Sequence, residues 1–233
     1  MRHPEVILGA DLDRADFTGQ KLTDLVIGEG SRLTRCDFTG AVVRGGSLGA
    51  GMHPTEYLEC DFSGARLKQV SPGRASFISC VFNGVQIMNM MSLEAEFVDC
   101  TFTGLLKSVT FSATPDLFDD RLLRTRNRFS GNDFSGAELR EVAFRGGVDL
   151  DAQRLPGGDG FLLLRQAAGI LTEARKDIAT WTSTPDRDEA SIVTGVLLDE
   201  TAMGQRDLFI ATSFLTKRLS PDYAQRLLSI IAA

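Results

Sequence analysis

Apolar side chains recur at every fifth position through much of the chain. From Phe62 the register runs Phe62, Leu67, Pro72, Phe77, Phe82, Ile87, Ser92, Phe97 and Phe102, so only Pro72 and Ser92 break it. Two places ahead of most of these centres sits a second column of small or apolar residues: Ala65, Val70, Ala75, Cys80, Val85, Met90, Ala95 and Cys100. Every fourth unit the pattern sharpens into a motif: ADFTG from Ala15, CDFTG from Cys36, CDFSG from Cys60, CVFNG from Cys80, CTFTG from Cys100 and NDFSG from Asn132. Phe17, Phe38, Phe62, Phe82, Phe102 and Phe134 form one column, and Gly19, Gly40, Gly64, Gly84, Gly104 and Gly136 another.

A period of five fits neither an α-helix at 3.6 nor a strand at 2. It fits a chain that turns a near right angle every five residues, closes a square after four turns, and buries two side chains per side. Glycine two places after each Phe suits a corner that needs positive φ. The six motif lines predict about six coils, and at about 4.8 Å per coil a rod roughly 30 Å long.

ADLDRADFTGQKL near the start, CDFSGARL, and NDFSGAELREVAF near the end resemble the pentapeptide-repeat family, whose pattern is A(D/N)LXX with Leu or Phe at the centre. The resemblance covers roughly residues 6–151 and implies a right-handed quadrilateral β-helix. The expected organisation is a β-helical domain over residues 1–156, with insertions at 28–31, 49–56 and 113–128, followed by an α-helical capping or dimerisation domain over 157–233.

Sorting the centres by side of the square locates the insertions. Side one is the Phe column; side two carries Leu22, Val43, Leu67, Ile87 and Leu139; side three Ile27, Leu48, Pro72, Ser92, Phe111 and Phe144; side four Leu12, Leu33, Tyr57, Phe77, Phe97 and Phe129. Every extra residue falls between a side-three and a side-four centre, so all insertions emerge from one edge of the prism. Loops on a rigid scaffold concentrate binding residues. Glu29, Met52, His53, Glu56, Asp116, Phe118, Asp119, Asp120, Arg121 and Arg124 are therefore candidate partner contacts. Thr114-Pro115-Asp116 is a helix-start signal, which predicts a short helix across Pro115 to Arg124.

Beyond Leu150 the pattern stops, and LPGGDG from Leu155 reads as a hinge or cap. Leu164, Ala168, Leu171, Ile178 and Trp181 then follow helical spacing, and helices are expected to start at Thr184-Pro185-Asp186 and Ser220-Pro221-Asp222. Gly204 separates a helix bearing Ile192, Val193, Val196 and Leu197 from one bearing Leu208, Phe209, Thr212 and Leu215. Such a bundle would cover the open end of a solenoid. The resemblance adds homodimerisation through the C-terminal helices as an alternative role.

Charge and chemistry narrow the function. The net charge of −6 divides into −4 over residues 1–156 (17 basic against 21 acidic) and −2 over 157–233 (8 against 10). Without a basic run, this argues against direct nucleic-acid binding. No stretch approaches the length of a membrane span, so a cytoplasmic location is expected. The four cysteines stand 24, 20 and 20 residues apart with no CxxC, which lacks zinc-ligand spacing and suits a core column of free thiols. GGSLG from Gly45 matches G-x-S-x-G in letters, but Leu48 sits in the five-residue register, and the only histidines are His3 and His53. No enzyme, cofactor or metal is expected.

What remains is a protein-binding scaffold. Quinolone-resistance and antibiotic self-protection members of the resembled family mimic a DNA duplex towards DNA gyrase. By that resemblance, Asp16, Asp37, Asp61 and Asp133 form the acidic stripe on successive coils, interrupted at Val81 and Thr101, with Arg35, Arg66 and Arg74 diluting its field. The alternatives are an adaptor or immunity-type protein that binds another client through the inserted edge, and a structural homodimer module.

Overall fold

The computed structural model describes residues 6–115 and 124–232. The chain divides into two compact units, Met1–Val142 with Asp151–Pro156, and Ala143–Leu150 with Gly157–Ala233.

The first unit is a parallel β-solenoid. One parallel sheet has seven strands and a second has six. The corners are written in the backbone: positive φ recurs at Gly9, Arg14, Gly19, Asp24 and Glu29, five residues apart, and again at Arg35, Gly40 and Gly45. Four such corners close one circuit. The solenoid makes about five turns, one fewer than the six motif lines suggest, because six stacked levels bound five complete circuits.

Corner glycine is a preference and not a requirement. Gly19, Gly40, Gly64, Gly84 and Gly104 have φ between +62° and +90°, as expected, but Gly136 does not, and among the described solenoid residues eleven non-glycines also take positive φ. Each such residue costs on the order of 1 kcal/mol, and the ladder bonds on either side hold it there.

Strand registers reproduce the side-four column, with Leu12 opposite Leu33, then Tyr57, Phe77, Phe97 and Phe129 in turn. Side three pairs Ile7 with Ile27 and Ser92 with Phe111. On side two the fifth level drops one residue at the irregularity between Phe102 and Gly104, so Leu106 occupies the centre opposite Ile87. The aromatic centres stack face to face up the core. Along side one the ring centroids step by 4.4, 4.6, 4.8, 4.7 and 4.6 Å from Phe17 to Phe134, and on side four Tyr57, Phe77 and Phe97 step by 4.7 and 4.9 Å. The two stacks meet edge-on at the Phe62–Phe77 and Phe77–Phe82 contacts. Both spacings follow from the distance between neighbouring strands.

Cys36, Cys60, Cys80 and Cys100 are unpaired and buried in the adjoining column. The last three lie 3.3–3.4 Å from the carbonyl oxygens of Leu33, Tyr57 and Phe77 on the preceding coil. Burial above all pushes the Cys80 thiol up, away from the thiolate. Asn132 continues the column at the next level, fully buried. Its Oδ1 accepts from the Cys100 N–H at 3.0 Å, and its Nδ2 donates to Phe97 O at 2.9 Å and Gln153 Oε1 at 3.0 Å.

The second unit has four helices, α1 (Ala167–Ile178), α2 (Thr184–Ala202), α3 (Thr212–Thr216) and α4 (Pro221–Ile231). Leu164, Leu208 and Phe209, expected on helices, lie instead on an antiparallel ribbon of Phe161–Leu164 with Leu208–Ala211. Short apolar runs such as FLLL and LFIA satisfy a strand as readily as a helical stripe, and the long-range pairing decides. Of the residues assigned to the core face of α2, Val193 and Leu197 are buried but Ile192 and Val196 are exposed. The two Ser/Thr-Pro-Asp starts are tied together. Asp186 bonds the Ser183 N-cap hydroxyl and also accepts from the backbone N–H of Ser220, the N-cap of α4, at 2.7 Å. Trp181 packs against Tyr223 with the rings tilted at 40° and centroids 4.7 Å apart, and it donates its indole N–H to Asp177 at 2.8 Å. No helix among the described residues is long and apolar enough to cross a membrane.

Candidate functional site

At the edge between sides three and four, each insertion is stitched by a buried polar side chain. Ser31 donates to Gly28 O at 2.7 Å and accepts from Ala10 N–H at 3.1 Å. The Tyr57 hydroxyl, within the aromatic core, donates to Leu48 O at 2.9 Å across the 49–56 insertion. Asn127 donates to Leu93 O at 2.7 Å and Ser112 O at 2.9 Å where the longest insertion returns. These side chains add hydrogen bonds to backbone groups where an inserted residue interrupts the ladder.

The charged candidates on this edge face one another. His53 Nδ1 lies 3.1 Å from Glu29 Oε2, and Glu56 pairs with Arg32 at 2.7 Å. Arg74, expected to face outward, is buried, with Nε 3.1 Å from Glu94 and Nη1 donating to Met52 O at 3.0 Å. Arg124 reaches Glu96 at 3.5 Å, donates to Asn127 Oδ1 at 3.1 Å and bonds the Glu94 carbonyl. Glu96 is buried and also accepts from Arg128 at 2.8 Å and the Ser76 hydroxyl at 2.8 Å. Burial pushes its carboxyl up, but the Arg128, Ser76 and Arg124 contacts outweigh that and hold it below the usual range. Met52 and His53 stay exposed. Asp116, Phe118, Asp119, Asp120 and Arg121, with most of the helix expected across Pro115 to Arg124, lie outside the described residues.

Side one presents the acids. Asp16, Asp37 and Asp61 bridge in sequence on three successive coils, and the column then continues to Val81. Asp16, Asp37, Asp61 and Asp133 each accept, through Oδ1, the backbone N–H two residues on, at 2.7–2.9 Å. The Asp therefore closes the turn after its own Phe, which explains its place in the motif independently of any partner. Asp133 stands apart from the other three and faces Arg154 at 3.5 Å. Among the described residues neither Asp37 nor Asp61 enters an ion pair. Arg35 turns away from this column to pair with Asp13 at 2.7 Å.

Among the described residues no group of three or more His, Cys, Asp or Glu side chains is placed to hold a metal ion. Ser47 lies in the side-three ladder opposite Ser71, and its hydroxyl accepts the Gly49 N–H at 3.2 Å. Sequence spacing located the insertion edge. It could not show that the described edge charges pair with one another, because partners such as Glu96 and Arg128 are separated by a long loop.

No protein-family profile matches the chain, and no curated protein matches it. Among solved structures it is similar to a pentapeptide repeat protein, Rfr23, from the cyanobacterium Cyanothece 51142, with 9% identity over 64% of this chain and 86% of that one and a TM-score of 0.24. It is similar to QnrB1, a plasmid-mediated fluoroquinolone resistance protein, with 20% identity over 64% and 79% and a TM-score of 0.22. A third is HetL from the cyanobacterium Nostoc sp. strain PCC 7120, a pentapeptide repeat protein involved in heterocyst differentiation regulation, with 14% identity over 64% and 71% and a TM-score of 0.27.

Proposed function

We propose that this chain, a pentapeptide-repeat β-solenoid with its charges sorted by face, is a non-enzymatic protein-binding scaffold. The observation that carries the reading is the stack of Asp16, Asp37 and Asp61 on three successive coils of a rigid core. Stacking places three carboxylates about 4.8 Å apart in a fixed line, a rigid acidic row suited to a basic protein groove.

The sharpest form of this reading is a DNA-mimicking protector or modulator of DNA gyrase or a related topoisomerase. A supercoiling assay with purified gyrase, with and without a fluoroquinolone, tests it. Inhibition or drug protection that disappears in the Asp37→Lys/Asp61→Lys variant is the expected result. No effect at high protein concentration removes the gyrase form.

A second reading, a homodimer joined through the helical unit, is favoured by one feature. Ile192, Val196 and Met203 are exposed and lie within about 40° of one another around α2. Light scattering should then show a dimer that Val196→Asp dissociates; a monomer at all concentrations refutes it.

A further inference from the structure

Side two carries a charge pattern that the net charge conceals. Its outward positions flank the inward centres in two columns. One runs Lys21, Val42, Arg66, Gln86 and Leu105; the other runs Thr23, Arg44, Lys68, Met88 and Lys107. Over these five levels five of the ten positions are cations and none is an acid; at the next level the outward residues flanking Leu139 are Glu138 and Arg140, which pair with each other. Lys21, Arg44, Arg66, Lys68 and Lys107 are all exposed. Among the described residues none of the five forms an ion pair. This contrasts with the insertion edge, where Arg32, Arg74, Arg124 and Arg128 pair with Glu56, Glu94 and Glu96.

The ladder fixes the spacing. Arg44 and Lys68 are cross-strand neighbours about 4.8 Å apart, and Arg66 and Lys68 project from the same strand about 6.6 Å apart. The whole patch measures about 19 Å by 7 Å by that geometry. It rests on a fully packed core, so little ordering remains to be lost when it binds. Holding five like charges this close without counter-charges is unfavourable unless an anionic surface completes them.

Two features select the kind of anion. Around one corner lies the column of Asp16, Asp37 and Asp61. A duplex is negative on all sides, with one charge per about 1.7 Å of axis, and would bring phosphates over those acids. Single-strand binding relies on aromatic platforms for base stacking, and the five uncharged outward positions of side two are Val42, Gln86, Leu105, Thr23 and Met88, with no aromatic among them. Carboxylates suit the face better: Arg44 and Arg66 present planar forks that pair with carboxylates in bidentate fashion.

We propose that side two docks a carboxylate-rich protein surface, with Arg44, Arg66 and Lys68 at its centre. This rests on the scaffold reading above. It specifies a client with an acidic strip on side two beside a basic strip on side one.

The test uses the intact chain and a fluorescein-labelled 16-residue peptide of alternating Glu and Gly, read by anisotropy between 20 and 200 mM salt. Single-stranded and duplex DNA of matching length serve as parallel probes. The expected result is saturable peptide binding that weakens with salt, falls at least tenfold in Arg66→Glu/Lys68→Glu, and falls severalfold in Arg44→Lys. The milder Arg66→Gln/Lys68→Gln pair should lie between, and Asp37→Lys/Asp61→Lys should not weaken binding. Absence of peptide binding at 20 mM salt overturns the proposal, as does binding indifferent to the side-two substitutions. Tighter, Arg66-dependent binding of either DNA overturns it in favour of a nucleic-acid face. The gyrase assay turns on Asp37 and Asp61 and the peptide assay on Arg44, Arg66 and Lys68, so either reading can fail alone.

Discussion

Replacing Tyr57 by Phe makes side four all Phe from that level onward, since Phe77, Phe97 and Phe129 occupy the next levels of the same column. By consensus reasoning this substitution is neutral or stabilising. The structure predicts the opposite. The ring stacks on Phe77 at 4.7 Å and would remain, so packing is conserved. What disappears is the hydroxyl that donates to Leu48 O at 2.9 Å in a fully buried setting. A buried carbonyl that loses its partner costs about 1–3 kcal/mol, and release of a buried hydroxyl recovers part of that, for a net loss of about 1–2 kcal/mol. Urea unfolding followed by far-UV circular dichroism should show a lower midpoint with an unchanged slope. Phe77→Tyr is the matching control, because the corner after Pro72 holds no comparable insertion and the added hydroxyl should destabilise. Equal or greater stability of Tyr57→Phe would refute the idea that the insertions are held by buried polar stitches.

Two further predictions concern ionised groups. Glu96→Ala leaves the Arg128 N–H and the Ser76 hydroxyl without their acceptor and Arg124 without its counter-charge; breaking such a buried network should cost about 2–4 kcal/mol in urea unfolding, and a loss under 0.5 kcal/mol would contradict it. In the helical unit, Asp207 is held at about 2, chiefly by the hydrogen bond from Arg206, with burial opposing and the Gln166 N–H and Arg165 assisting. Because that lies below the usual value of about 3.9, the ionised form contributes stability above pH ~4 that is lost as the pH falls towards 2. Asp207→Asn should therefore be less stable than the parent by about 2 kcal/mol at pH 7, with the gap closing by pH 2 when unfolding is followed by Trp181 fluorescence. A gap of equal size at both pH values would show that the carboxylate's charge is not what stabilises this site.

Much of this molecule could be read from its letters. The five-residue period, the two stacked aromatic columns, the side assignments and the edge from which the insertions emerge all follow from spacing, because a solenoid brings together residues one period apart. In such a fold, contact in space is nearly a function of position in sequence. The same logic fails where the period does. Leu208 and Phe209 were indistinguishable from a helical stripe until Phe161–Leu164 came to pair with Leu208–Ala211. Arg74 looked like a surface charge until the 49–56 insertion folded back and the Met52 carbonyl met its guanidinium.

The sequence by itself determined the repeat, its core columns and the four-cornered circuit, since each is set by local sterics and strand spacing. Only the tertiary structure decided which charges are spent and which remain available. Whether a charge has a partner depends on side chains from other coils and loops, at distances a few ångströms one way or the other. Those distances paired the described charges of the insertion edge, assigned the aspartates of side one to their own turns, and left the cations of side two facing solvent.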